Sequence, residues 1–255
     1  MLIDLSLPIK NNTPEPESPK IKYFNHIEGA KNLSAAASNI FKTQITEKDF
    51  PDGRGLANEE IILDTHSGTH LDAPWHFTSQ INGKKAITVD EIPLEWCYND
   101  GVLLDFRHKQ QGDAILQIDV QKALDKINYK IKPYDIVLIM TGADKYFEKD
   151  NYFSAHSGMS AEGTEYILKQ GVKILGIDAW GFDRPAINML QDFLKTKDNT
   201  FIFPAHFVGK KIEYCHIEKL ANLDKIPKPF GFKIICFPVK IEKASAGWCR
   251  VVAII

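Results

Sequence analysis

The sequence predicts an α/β fold in which helices connect parallel strands. Three short apolar runs, at residues 101–106, 135–140 and 172–177, have the length and composition of strands buried on both faces. Segments with helical patterns lie between the first and second runs and between the second and third. Because parallel neighbours need a crossover connection, this alternation predicts parallel pairs. An all-β barrel with added helices is the alternative, and the two helices disfavour it.

The pattern before these strands is less regular. Residues 3–7 alternate between apolar and polar side chains and predict a first strand that ends at Pro8. Residues 21–58 are only weakly periodic, which fits either a mobile cover over a site or an ordinary surface loop. Residues 59–64 predict a strand that leads into a histidine-rich segment.

Two helices are indicated by capping residues and by periodic apolar positions. The second helix is predicted to begin after Ser160 and to be closed by Gly171. The first is predicted to be capped by Asp119. Its apolar residues repeat at i, i+3, i+4 and i+7, and they are Val120, Ala123, Leu124 and Ile127.

The last part of the chain predicts further strands. Residues 201–206 read as a short apolar strand that ends on a histidine, and residues 232–237 and 250–254 read as two closing strands. A chain of 255 residues is long enough for one large α/β domain. We therefore expect a single domain over residues 1–255.

Composition excludes several classes of function. Lys and Arg number 31 against 33 Asp and Glu, so the chain has no strongly basic balance for nucleic acid or an anionic membrane. No apolar run reaches the ~20 residues of a membrane span, and the first residues lack the basic region of a signal peptide. The four cysteines form no C-x-x-C pair, as expected for reduced thiols. These features predict a soluble, cytoplasmic protein with a small-molecule substrate.

The histidine-rich segment has the side chains of a metal site. His66, His70, Asp72 and His76 all fall on even positions, and alternate side chains share a face in extended backbone. A helix would place Asp72 about 200° from His70, so a strand and turn are predicted instead. Imidazole and carboxylate suit zinc, manganese or iron(II), and the lack of a nearby cysteine disfavours a closed structural zinc site.

One of these histidines is expected to act in proton transfer. A catalytic ion keeps a position open and needs an acid or base beside it, so one histidine should stay off the metal. We assign that role to His76, which lies beyond Pro74. Trp75 and Phe77 flank it and are predicted to wall a substrate pocket.

The same segment resembles a known family signature. It reads His66-Ser-Gly-Thr-His70-Leu-Asp72-Ala-Pro74-Trp-His76, and H-x-G-T-H-x-D-x-P-x-H is the signature of the cyclase family of metal-dependent hydrolases. That family includes bacterial kynurenine formamidase and isatin hydrolase. The resemblance implies a swivelling β/β/α single domain with a mixed sheet, in homodimers or larger oligomers. It also implies that His66, His70 and Asp72 bind metal and that His76 is the catalytic acid/base.

The family pattern continues with a distal histidine and, twelve residues later, a glutamate that opens an E-x-L-x-N-L segment. Here His206 precedes Glu218, and 218 minus 206 is 12. The resemblance therefore implies that both complete a site for one or two divalent ions, zinc or manganese. His216 competes with His206 as a ligand, because it would share a face with Glu218 in extended backbone.

Residues 178–183 follow the third predicted strand, at the edge where open α/β sheets bind ligands. Asp178 matches an acid in the family's G-x-D segment and is expected to orient a metal-bound histidine. Trp180 is expected to join the aromatic pocket wall. For Asp183 a site role and a turn that caps backbone amides are both open. His156 is expected to be exposed to solvent.

Together these features predict a metal-dependent hydrolase that cleaves the C–N bond of a small aromatic or cyclic amide. The ion would activate water and polarise the carbonyl, while His76 would move protons. Two alternatives stay open. One is a metal-dependent lyase or isomerase, because the same ion can stabilise an enolate, and the other is a non-catalytic binding protein stabilised by metal.

Overall fold

The computed structural model describes residues 1–15 and 18–255. In this part of the chain two compact units are found. The larger contains Met1–Ile9, Pro14, Glu15 and Thr65–Ile255, and the smaller contains Lys10–Thr13 and residues 18–64. The single domain expected over residues 1–255 stays a prediction. No helix among the described residues is both long and apolar enough to cross a membrane.

The helices and strands are numbered here in chain order. The strands are β1 (Leu2–Asp4), β2 (Lys20–Phe24), β3 (Asn58–Ile62), β4 (His70–Asp72), β5 (Gln80–Ile81), β6 (Lys84–Lys85), β7 (Tyr98–Asp105), β8 (Ala114–Ile115), β9 (Ile136–Met140), β10 (Gly158–Met159), β11 (Ile174–Ile177), β12 (Cys215–Glu218), β13 (Phe230–Ile235), β14 (Ala246–Trp248) and β15 (Val252–Ile254). The helices are α1 (His26–Phe41), α2 (Pro74–Phe77), α3 (Gln117–Ile127), α4 (Ala161–Leu168) and α5 (Ala186–Thr196).

The larger unit is organised around one mixed sheet. Within the described residues its nine strands follow the order β1-β15-β13-β7-β9-β11-β12-β4-β14. The four central strands β7, β9, β11 and β12 are parallel, and the outer pairs are antiparallel. Helices α3 and α4 lie in the connections between the first three of them, as parallel pairing requires. The predicted α/β class with a mixed sheet is therefore confirmed.

The central strands are apolar on both faces because each face packs against its own cluster. Leu103 and Leu138 belong to one buried cluster, whereas their neighbours Val102, Leu104 and Val137 belong to the other. Since side chains alternate along a strand, the two clusters lie on opposite sides of the sheet. This explains the continuous apolar runs in the sequence.

Both predicted connecting helices are present, but only α4 begins at the predicted capping residue. Ser160 accepts a hydrogen bond from the Gly163 amide at the start of α4, and Gly171 beyond its end adopts φ +90°, which favours glycine. The predicted cap of α3 is wrong, because the helix begins two residues earlier, at Gln117, with Leu116 as its N-cap. Asp119 lies in the first turn and accepts a hydrogen bond from the Leu116 amide.

One predicted strand is wrong, and another is shorter than predicted. Residues 199–201 and 206–210 form 3₁₀ turns, so no strand covers residues 201–206. Phe203 has φ +47° and Pro204 offers no amide hydrogen, and both features oppose a strand. The histidine-rich segment is also not extended throughout. Its strand is limited to β4, and Pro74 takes the first position of α2, a position that proline favours.

The smaller unit has regular structure where a cover or a surface loop was expected. β2 and β3 pair antiparallel, with Tyr23 opposite Glu59; α1 follows β2 after one residue, and two short 3₁₀ turns lie between α1 and β3. Asn25 and Glu28 form a capping box at the start of α1. Gly29 allows the helix to approach residue 56, because a Cβ at Gly29 would lie 2.0 Å from the carbonyl oxygen of Leu56.

Candidate metal centre

Two neighbouring strands bring four candidate ligands together. β4 carries His70 and Asp72, and its antiparallel neighbour β12 carries His216 and Glu218. Asp72 is opposite His216, and His70 is opposite Glu218. Residues two apart on a strand share a face, so all four side chains lie on one side of the sheet. This cross-strand quartet is buried inside the larger unit.

The ligand atoms of the quartet converge. His216 Nε2 lies 3.0 Å from Asp72 Oδ2 and 3.3 Å from Glu218 Oε1. His70 Nε2 lies 3.3 Å from Asp72 Oδ1 and 3.7 Å from Glu218 Oε2. His206 joins them from the 3₁₀ turn that it opens, with its Nε2 3.6 Å from Glu218 Oε1. The structure thus brings both competing distal histidines to the same place.

Hydrogen bonds on the other side of each ring fix which nitrogen faces the carboxylates. His70 Nδ1 is 2.8 Å from the Gly68 carbonyl oxygen, and His206 Nδ1 is 2.5 Å from Asp183 Oδ2. Carbonyl and carboxylate oxygens only accept, so Nδ1 carries the proton in both rings. His216 Nδ1 lies 3.3 Å from the Tyr214 hydroxyl, which donates its own hydrogen elsewhere. Each Nε2 lone pair is therefore turned towards the carboxylates, as in metal-binding histidines.

Several of these converging atoms have no hydrogen-bond partner. Among the described residues they include Nε2 of His70 and His216 and both carboxylate oxygens of Asp72, all of them buried. Burial by itself lowers the pKa of His216, but the carboxylates of Asp72 and Glu218 beside Nε2 outweigh it and raise that pKa to about 9. The site therefore attracts positive charge. Buried lone pairs of nitrogen and oxygen, with no thiol among them, fit a divalent metal ion.

Asp72 is shared by two groups of side chains that could hold a metal ion. It lies with His206, His216 and Glu218 in one group, and with His66 and His76 in the other, each group having its atoms within 4.8 Å of one another. Asp72 would therefore contribute to an ion held by either group.

The two remaining histidines of the first motif differ in their contacts. His66 Nδ1 is 2.8 Å from Asp72 Oδ1, whereas His76 Nε2 is 3.9 Å from Asp72 Oδ2. The His76 side chain is also 34% exposed. Desolvation lowers the pKa of His76 to about 4 although Asp72 opposes the shift, so its ring is neutral at pH 7. A neutral ring can accept a proton.

A cavity of about 190 Å³ opens beside this cluster. His66, His76, His206 and Glu218 form part of its wall. This volume is below the 300–1,000 Å³ range of drug-sized ligands, so the cavity suits a small substrate. Its apolar lining consists of Trp180, Met189, Phe203 and neighbouring residues.

Of the three predicted pocket aromatics, Trp180 lines this cavity. Phe77 is buried, and its ring packs 5.0 Å from the rings of both Tyr214 and His216. Trp75 is 37% exposed, and the ammonium group of Lys85 lies 5.8 Å from its ring. In the part of the chain that the structure describes, Trp75 and Phe77 do not form the cavity wall. Periodicity alone could not separate a core aromatic from a pocket one.

The carboxylate that orients a histidine is Asp183, not Asp178. Asp178 accepts hydrogen bonds from the amide and hydroxyl of Thr141 and from the Gly142 amide, so it ties the ends of β9 and β11 together. Asp183 accepts from His206 Nδ1 and from the amides of Ala205 and His206. Asp183 thus both caps amides and orients a candidate ligand.

The sequence analysis did not place two residues in the cavity wall. His156 is 2% exposed, so the expectation that it faces solvent is wrong. Lys219, next to Glu218, is buried, and its Nζ lies 2.9 Å from Glu15 Oε1 and 2.9 Å from the His66 carbonyl oxygen. The position of Lys219 directly after a predicted ligand was the available signal, whereas His156 had none.

Comparison with known proteins agrees with this site. The family model named Cyclase matches residues 3–184. The chain belongs to the cyclase family. Isatin hydrolase of Roseibium aggregatum is 25% identical over 221 residues, which cover 83% of this chain and 80% of that protein. Kynurenine formamidase of Erythrobacter litoralis is 25% identical over 192 residues, 75% of this chain and 74% of the relative.

Solved structures share the fold of this cyclase-family chain. Isatin hydrolase A from Ralstonia solanacearum aligns with a TM-score of 0.78 at 19% identity, covering all of this chain and 92% of the other. An isatin hydrolase bound to the product analogue thioisatinate aligns with a TM-score of 0.77 at 20% identity, covering 100% and 92%. Family, relatives and the His/Asp/Glu group together support the broad prediction of a metal-dependent hydrolase.

Proposed function

We propose that this chain hydrolyses the C–N bond of a small aromatic or cyclic amide. The observation that carries the proposal is the set of buried, unpartnered nitrogen and oxygen atoms that converge beside a small cavity. A closed structural site would have no such cavity, so the cavity favours catalysis over a metal-stabilised binding protein. The relatives named for isatin, a cyclic amide, and for a formamide of kynurenine support the substrate class.

The ligand set that we propose is the one expected from the sequence, with one addition. His66, His70, Asp72, His206 and Glu218 hold zinc or manganese, and His216 joins them. His216 is included because its Nε2 is buried without a hydrogen-bond partner and lies 3.0 Å from Asp72.

His76 is proposed as the general acid and base. It is more exposed than the other histidines of the cluster and lies farther from Asp72 than His66 does. A divalent ion in the site would polarise the amide carbonyl and make water more acidic. His76, neutral at pH 7, accepts the proton of the attacking water and returns it to the leaving nitrogen. Asp183 holds the ring of His206 in place through the bond to Nδ1.

Self-association is part of the proposal. Tyr23 and Ile61 share one face of the β2–β3 pair and are both more than half exposed, and exposed apolar side chains grouped on a surface mark interaction sites. We propose that a second copy of the chain covers them in a homodimer or larger oligomer. Light scattering after size exclusion tests this, since Ile61→Glu should shift the mass towards the monomer. A cytoplasmic location is proposed as well, in keeping with four free, buried cysteines.

The reaction is tested on protein loaded with zinc or manganese. Formanilides, aromatic lactams and cyclic imides are each incubated with it, and products are identified by mass spectrometry. Hydrolysis adds the mass of one water in total; it yields a carboxylate and an amine from a formanilide or a lactam, and a carboxylate and a primary amide from a cyclic imide. Elimination or isomerisation products instead would replace the hydrolase with a lyase or isomerase. If none of the three substrate classes is converted, the proposal is contradicted.

A further inference from the structure

Two polar atoms of the cavity wall lie outside the metal cluster and have no partner. They are Nε2 of His156 and Nε1 of Trp180, both buried and without a hydrogen bond among the described residues. Polar atoms buried in this way are costly unless water or a ligand satisfies them. Because both line the cavity beside the candidate ligands, a bound substrate can reach them.

The hydrogen-bonding role of each atom follows from its chemistry. His156 Nδ1 lies 3.1 Å from the Ser157 carbonyl oxygen, which only accepts, so Nδ1 carries the proton and Nε2 is an acceptor. Burial lowers the pKa of His156, against opposing effects of backbone groups and Glu218, so the ring is neutral at pH 7. The indole N–H of Trp180 can only donate. The wall therefore offers one acceptor and one donor.

A secondary amide presents the complementary pair, an N–H donor and a C=O acceptor. We propose that His156 Nε2 accepts the amide N–H of the substrate and that the Trp180 indole N–H donates to a carbonyl oxygen. This inference rests on the proposed amide hydrolase and narrows its substrates to amides that keep a hydrogen on nitrogen. An N-alkylated amide would leave the His156 lone pair buried and unsatisfied.

Binding of two ligands of the same shape tests the role of His156. Oxindole has an N–H next to its carbonyl, and 2-indanone has CH₂ in the same place. Calorimetric titration of the zinc-loaded protein should show oxindole binding about 10-fold more tightly than 2-indanone, as one good hydrogen bond allows. His156→Leu should bring the ratio close to one. His156→Gln, whose side-chain oxygen can accept, should keep part of the preference.

Two further variants separate the proposed contacts. Trp180→Phe should weaken both ligands by a similar factor and leave their ratio unchanged, because both carry the carbonyl. His108→Gln is the matched control, since His108 is exposed and lies outside this cavity, and it should change nothing. Metal content and melting temperature show that each variant is folded and loaded.

The outcomes distinguish this inference from the proposed function. If a folded, loaded His156→Leu protein keeps the full preference for oxindole, or if neither ligand binds the wild type at millimolar concentration, His156 does not recognise the amide. If the protein gives either of these binding results but still hydrolyses amides, the proposed function stands and only the inference is overturned. Loss of the preference in His156→Leu without any amide hydrolysis supports recognition and overturns the reaction.

Discussion

Removal of either partner of the Lys219–Glu15 ion pair should cost much stability. Lys219 Nζ lies 2.9 Å from Glu15 Oε1, and the two side chains are 5% and 4% exposed. Lys219→Met leaves a buried carboxylate without its cation and also removes the donor to the His66 carbonyl oxygen. Breaking such a pair costs about 3–5 kcal/mol, or roughly 6–20 °C in melting temperature for a chain of this size.

The assay is thermal and urea unfolding of variants with equal metal content. Lys219→Met, Glu15→Leu and the double variant form a cycle, and the double variant should cost less than the sum of the two single ones by about 1–3 kcal/mol. Lys243→Met is the matched control. Lys219 and Lys243 both have positive φ, but Lys243 pairs with Glu242 on the surface, so its loss should cost less than about 1 kcal/mol. Equal losses for Lys219→Met and Lys243→Met, or strict additivity in the cycle, would refute the buried pair.

Three further predictions concern the site and its support. His76→Ala should lower kcat by about 10²–10⁴ and keep its metal; metal loss measured on the same preparation would make His76 a ligand. Glu218→Ala should lose metal measured by elemental analysis. Glu213 is partly exposed and pairs with Lys173, so Glu213→Ala should keep its metal, and equal losses in the two variants would disprove the assignment. Burial raises the pKa of Asp178 from 3.8 to about 7, so ionisation destabilises the fold as pH rises from about 4 to 7. The melting temperature of Asp178→Asn relative to wild type should therefore increase between pH 4 and pH 8, and a constant difference would contradict this.

Local patterns predicted the parts of the fold that depend on local physics. The apolar runs of β7, β9 and β11 and the capping residue Ser160 of α4 act within a few residues, and the structure confirms them. The α1 helix was not predicted. Its capping box at Asn25 and Glu28 was visible in the sequence, but its weak periodicity hid it, since only Gly29 and Ala30 in it are buried.

In the candidate site too, sequence spacing predicts some features, whereas others depend on contacts between distant parts of the chain. The spacing of two between His70 and Asp72 and between His216 and Glu218 shows that each pair shares a face if its strand is extended. That the two pairs are opposite each other depends on the pairing of β4 with β12, which are far apart in sequence. Asp183, and not the expected Asp178, orients a candidate ligand, and His156 is buried. Both features arise from tertiary packing, which the spacing of residues in the sequence does not encode.

We expect the buried cluster to bind a divalent ion through Asp72, the residue that the two groups of side chains share. The most direct test is equilibrium dialysis against zinc and against manganese, followed by elemental analysis of wild type and Asp72→Ala. The wild type should hold at least one ion per chain, and the folded variant should hold almost none, because Asp72 contributes to either ion position. A wild type without metal, or an Asp72→Ala protein with the wild-type stoichiometry, would contradict the account.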